Sequence, residues 1–179
     1  MSNIDARLAA KLATRAAGVD PKEFFLELVD MVARDASEEL GRQIDEIGIL
    51  IVGTEGKYLR FAAPRKLCDL GTIPTTKRDS IAVAVLTRKN AEANNNVPLA
   101  RHVAFFESVK VRETAQPIMK MVTAPIIADD VVVGIAQVSK KGDSLAGAGP
   151  DFNAADVRRV KEYFESKAGF ILAARPPQF

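Results

Sequence analysis

Apolar residues recur every three or four positions towards both ends of the chain and fall into short β-rich runs in its middle. This pattern predicts helices flanking strands. Ile4, Leu8 and Leu12 share one face of an Ala-rich helix over 4–17, closed by Gly18. Asp20-Pro21-Lys22-Glu23 reads as a second helix start. Asp20 can accept backbone N–H groups, Pro21 suits the first helical position, and Glu23 completes a capping box. Phe25, Leu28, Val29, Val32 and Ala36 form the apolar stripe of this helix, which runs to about Leu40 and ends at Gly41.

Beyond Gly41 the period shortens. Ile47–Val52 and Tyr58–Ala62 around Gly53-Thr54-Glu55-Gly56 predict a β-hairpin. Residues 63–77, with Pro64, Gly71 and Pro74, read as loop. Ile81, Ala82, Val85 and Leu86 fit one face of a helix over about 79–89. Residues 90–98, with Asn94-Asn95-Asn96, read as irregular, and 99–116 fit either strand or helix. Lys120–Ile127 and Val131–Val138 are strands around Ala128-Asp129-Asp130, with Pro125 marking an interruption or an edge. A Gly/Ala-rich loop leads to a last helix over 153–174, stopped by Pro176-Pro177. Hairpin-joined strands with helices at both ends predict an α+β fold: an antiparallel sheet of five to six strands, N- and C-terminal helices packed on one face.

Composition narrows the function classes. The chain has 179 residues, 47% hydrophobic and 27% charged, enough for one domain with its own core. Its one cysteine, Cys68, excludes an intrachain disulfide and suits a reducing compartment. The first residues lack an apolar signal core, and no apolar run reaches the ~20 residues a spanning helix needs. A cytoplasmic protein without membrane contact is expected. Net charge is +2, with six Lys/Arg against ten Asp/Glu in residues 1–46 and nineteen against thirteen in 47–179. That spread is too dispersed for nucleic acid. It reads either as a solvated surface or as a C-terminal body that attracts an anion.

The C-terminal half carries a family pattern. Met121-Val122-Thr123-Ala124-Pro125-Ile126-Ile127, the turn Asp129-Asp130, and Val133-Gly134-Ile135-Ala136-Gln137-Val138-Ser139-Lys140 resemble the last hairpin of GAF domains. Phe152-Asn153-Ala154-Ala155-Asp156 is similar to the start of that family's final helix, with Phe152 as hydrophobic staple and Asn153 as N-cap. Ser80–Leu86 resembles a family helix that ends in a "tGe" turn, replaced here by Arg88-Lys89-Asn90. The resemblance covers roughly residues 25–174 and implies a sensor or regulatory domain. Cyclic-nucleotide-binding members carry an Asn-Lys, Phe, Asp-Glu signature. Lys140, Phe152 and Asp156 match it, while Ser139 and Val157 depart, so the match supports the fold more than nucleotide binding. It implies a Lys140–Asp156 salt bridge clamping the loop onto the final helix. Gly134 permits close backbone packing.

Reaction chemistry finds little to work with. One Cys and one His do not make a zinc site. Cys68 with His102 lacks an evident third group to orient the base. GAF-type reductases of free methionine sulfoxide use several cysteines, and Cys68 alone cannot complete such a cycle. Nothing around Cys68 resembles a bilin-attachment motif. Gly147-Ala148-Gly149-Pro150 lacks the lysine and hydroxyl of a phosphate loop. No enzyme activity, cofactor or metal is expected.

Binding candidates remain. Arg101, His102, Phe105 and Phe106 lie in the segment that forms the pocket lid in the family. Arg101 could pair with an anion and one Phe could stack on a planar ligand. Thr123 and Arg60 are candidates from the sheet, with Arg60 facing opposite Leu59 and Phe61. On the last helix Tyr163 and Phe170 flank the apolar face, as Phe24 and Met31 do on the second; a wide contact with the sheet and a homodimer seam both fit. The expectation is a helical extension over 1–20 and a GAF-like domain over 21–175. That domain binds a small, anionic or planar, molecule and acts through a partner signalling protein. The alternative is an interaction module with a filled pocket.

Overall fold

The helices begin and end where the sequence supplies caps. In the computed structural model, which describes residues 3–15, 18–99 and 116–179, α1 spans Asn3–Ala13 and α2 spans Pro21–Glu39. Asp20 accepts the Lys22 N–H at 3.0 Å and Pro21 opens the helix. Glu23 does not close the expected capping box. Both its carboxylate oxygens accept from the Arg65 guanidinium, at 2.8 and 2.9 Å, a bidentate charge-assisted pairing stronger than one backbone N–H can offer. At the other end Gly41, at φ 62°, lets the Arg42 N–H reach the Ser37 carbonyl at 2.8 Å. This Schellman turn satisfies carbonyls the helix would leave orphaned. α3 (Ile81–Arg88) is capped by Ser80, and Lys89 follows it in the left-handed region at φ 53°. A lysine thus occupies the place the family pattern gives to glycine. α4 (Ala154–Ala174) opens with the predicted Asn153 cap, completed by Asp156 as a capping box.

Six strands, β1 (Ile47–Val52), β2 (Tyr58–Ala63), β3 (Thr72–Pro74), β4 (Glu92–Asn94), β5 (Ile118–Ala128) and β6 (Val131–Lys141), form one antiparallel sheet. Its order is β3-β2-β1-β6-β5-β4. The α+β class and the strand number agree with expectation, but two stretches read as loop or irregular supply the edge strands β3 and β4. Each is three residues long, too short to display a period. Pro125 behaves as the sequence implies. β4 pairs only with Met121–Thr123, so Pro125 lies past that ladder and its missing N–H breaks no bond to β4. The β5–β6 turn places Asp129 and Asp130 at φ 49° and 62°, the two positive φ values of a type I′ hairpin.

The sheet buries both faces. On one, α1, α2 and α4 form a helical layer, where Phe25, Leu28 and Phe164 pack with Ile49, Ile51, Val122, Ala124 and Ile126. On the other, α3 sets Ala82, Val83 and Val85 against Leu50, Leu59, Phe61 and Ile135. The N-terminal helix is continuous with the first core. Ile4 and Leu8 are buried in it, and Asp5 accepts from the buried Lys167 ammonium at 2.6 Å. Phe179, past the expected boundary at 175, is buried there too, edge-on to Phe25 at 4.7 Å. Gly134 shows why β6 needs a glycine: a Cβ there would sit 2.4 Å from the Leu50 carbonyl oxygen.

The broad apolar arc of α4 is filled within the chain. The Tyr163 hydroxyl donates to the Asp35 carboxylate at 2.6 Å and lies 3.1 Å from the Val32 carbonyl. Burial and that carboxylate push the phenol pKa well up.

Candidate functional site

Strand alternation assigns each sheet residue to a face. Val122 and Ala124 point to the helical layer, so Thr123 between them faces the α3 side. Ala136 and Val138 likewise bracket Gln137. Thr123 pairs with Gln137 across β5 and β6, with Glu92 on β4, and Gln137 pairs with Gly48 on β1. The row Glu92–Thr123–Gln137–Gly48 therefore crosses four strands on one face.

The row is buried and only partly satisfied. Thr123 is 1% exposed and Gln137 4%. Among the described residues Thr123 Oγ1 and Gln137 Nε2 have no hydrogen-bond partner. Each such group forfeits about 1–3 kcal/mol, so two side by side call for a physical reason. Their polar neighbours are satisfied. The Glu92 carboxylate pairs with Arg88 at 2.6 Å, and Ser139, one register position along the same face, donates to the Glu46 carbonyl at 3.2 Å. Gly48 contributes no side chain, and the Phe61 ring stands beside the space its Cβ would occupy, 3.8 Å away.

The predicted residues do not all meet here. Thr123 does. Arg60 alternates with Leu59 and Phe61, as expected, and so lies on the opposite face. Its guanidinium sits over the Tyr58 and Phe179 rings at 5.5 and 5.7 Å. Arg60 and Thr123 cannot touch one ligand. Arg101, His102, Phe105 and Phe106 lie outside the described residues. Gln137 was missed; its signal was an amide inside an otherwise apolar strand.

Arg60 instead joins Lys22, Cys68, Asp69 and Gly71 around an open cleft of about 250 Å³. Cys68 is buried and its Sγ lies 3.8 Å from the Pro64 carbonyl. Burial pushes its thiol pKa up, against a smaller opposing pull from Arg65. A nucleophilic cysteine needs the reverse. Among the described residues no group of three or more Cys, His, Asp or Glu could hold a metal, and no helix is long and apolar enough to cross a membrane.

No sequence-family model matches the chain, and no curated protein matches it. Solved structures do. The GAF domain of a phosphoenolpyruvate-protein phosphotransferase from Coxiella burnetii superposes with TM-score 0.63 at 13% identity, over 96% of this chain and 92% of that one. The fold is GAF-like. The corresponding domain from Acinetobacter gives 0.61 at 12% identity, covering 97% and 96%. A free methionine-R-sulfoxide reductase from Neisseria meningitidis, solved with its substrate, gives 0.57 at 14%, covering 96% and 90%.

Within this GAF-like frame the loop before α4 is held differently from expectation. Lys140 donates to the Pro150 carbonyl at 2.6 Å and lies 4.2 Å from the centre of the Phe152 ring, while Asp156 accepts the Asn153 N–H in the capping box. The pair that forms is Lys120–Asp151 at 2.7 Å. Lys120 and Lys140 are cross-strand partners, both buried. Desolvation, then Arg42, lowers the Lys140 pKa. Asn95, from the stretch read as irregular, clips the loop from the other side. Its amide donates to the Phe152 carbonyl at 3.0 Å and accepts the Phe152 N–H at 2.8 Å.

Proposed function

We propose that this chain is a regulatory GAF-like domain that binds a small molecule on the α3 face of its sheet and passes the signal to a partner protein. One observation carries the reading: Thr123 Oγ1 and Gln137 Nε2 are buried, adjacent and unpaired among the described residues. A fold under no functional demand would satisfy them or replace them with apolar groups. The GAF domain of a phosphoenolpyruvate-protein phosphotransferase and a segment of a methyl-accepting chemotaxis protein share the fold, which favours a sensory role. The proposal includes a cytoplasmic location and no chemistry of the domain's own. Two of the similar structures are reductases, but Cys68 is the only cysteine, lies across the sheet from Thr123 and Gln137, and has a raised pKa. A Cys68→Ser variant should therefore keep every binding response; loss of a thiol-dependent turnover in that variant would contradict this part.

The homodimer belongs to the same proposal. Tyr163 and Lys167 are already engaged inside the chain, so a seam would use the outward faces of the terminal helices. Light scattering tests it, and a monomer at high concentration would count against it. The binding reading itself is tested by a thermal-shift screen of small metabolites. A ligand at a hundred times its dissociation constant adds about 2.7 kcal/mol. Hits whose shift disappears in Gln137→Leu support the reading; hits indifferent to both Gln137→Leu and Thr123→Val oppose it.

A further inference from the structure

The two unpaired atoms also define a ligand class; this inference rests on the proposed binding reading. Gln137 Nε2 carries two N–H donors and no acceptor, and Thr123 Oγ1 can donate once and accept twice. Across an antiparallel pair such side chains start about 5 Å apart. One group that answers both is an oxygen acceptor beside an N–H donor: O=C for Gln137, N–H for Thr123. A cis-amide edge presents that pair in a plane.

Charge points the same way. Among the described residues of this row, the cation Arg88 is bound to Glu92 at 2.6 Å. Brought onto side chains this buried, a carboxylate or phosphate would lose its hydration and find no free counter-charge among the described residues of the row. An uncharged amide gives up far less. Shape agrees: Gly48 leaves the position beside Gln137 without a side chain, and Phe61 stands next to it, which suits a flat ring.

We propose that the α3 face recognises an uncharged cyclic cis-amide, a lactam, imide or ureide, with Gln137 donating to its carbonyl and Thr123 accepting its N–H.

The test uses the whole chain with pyrrolidinone, hydantoin and uracil as amide probes and succinate and inorganic phosphate as anion probes. Proton–nitrogen correlation spectra follow the Gln137 side-chain amide, assigned by its disappearance in Gln137→Leu, or by its displacement in Gln137→Asn should the leucine variant not fold. Amide probes are expected to move that signal, and Thr123→Val to weaken their binding about tenfold, one hydrogen bond's worth. Anions that move the signal as strongly as the amides overturn the ligand class and leave small-molecule binding standing. No response to any probe also overturns the class. The binding reading falls with it only if Thr123→Val and Gln137→Leu both lose stability as well, since the two atoms would then have partners inside the chain.

Discussion

Replacing Thr123 by valine exchanges a hydroxyl for a methyl group at nearly constant volume. In most cores this swap is harmful because the hydroxyl is bonded. Here Oγ1 is buried and unpaired in a side chain 1% exposed. Removing an unsatisfied buried polar group recovers part of a penalty of about 1–3 kcal/mol. Valine also suits a strand better than or as well as threonine. Thr123→Val is therefore predicted to stabilise the protein by about 1 kcal/mol, or a melting rise of about 2–4 °C for a chain of this size. Gln137→Leu should act in the same direction. The two residues are cross-strand partners, so the double variant need not equal the sum. The assay is urea unfolding followed by circular dichroism on dialysed protein, with the slope checked for constancy. A loss of about 1 kcal/mol or more in both variants at unchanged slope would refute the reasoning, because it would mean both groups are satisfied in the folded chain.

Gly134→Ala forces a methyl against the Leu50 carbonyl oxygen at 2.4 Å. A loss of about 1–3 kcal/mol is expected by chemical denaturation, and an unchanged midpoint would contradict the close β1–β6 approach. Asp5→Ala strands the buried Lys167 ammonium and should cost about 3 kcal/mol, the low end for a broken buried pair because the Asp5 side chain keeps 20% of its exposure. Lys167→Met should cost much less, and the reverse ranking would argue against the pair. Lys141 donates to Asp45 and holds its carboxyl below the usual range. The unfolded carboxyl binds its proton at a higher pH, near 4, so the pair's contribution is complete above that range and lost as pH falls through the lowered folded value. The pair is partly exposed, so the effect should stay under about 1 kcal/mol. Asp45→Asn should flatten that part of the acid limb of the stability curve, and an identical limb in both proteins would contradict it.

Elements with caps and a clear period were legible in the sequence: Asp20-Pro21 before α2, Asn153 before α4, and the apolar runs of β1, β5 and β6. β3 and β4 were not, because three residues show no alternation and their pairing is decided by neighbours far along the chain. Glu23 misled for a related reason: its local cap partner lost to Arg65, forty-two residues away. The site was half legible. Thr123 is visible as a hydroxyl in an apolar strand. Its pairing with Gln137 is not, because counting back from the two-residue Asp129-Asp130 turn sets Thr123 opposite Ala136. The register shift between Ile126 and Ile127 takes up one extra β6 residue, Val133, and brings Gln137 there instead. Arg60 was placed on its correct face but grouped with a residue on the other.

The most direct measurement is a high-resolution electron-density map over the Thr123–Gln137 row in crystals grown with an amide probe. The account predicts density for a bound molecule within hydrogen-bond distance, ~3 Å, of both Gln137 Nε2 and Thr123 Oγ1. Both atoms paired to groups of the chain itself, with no space between them for a ligand, would contradict it.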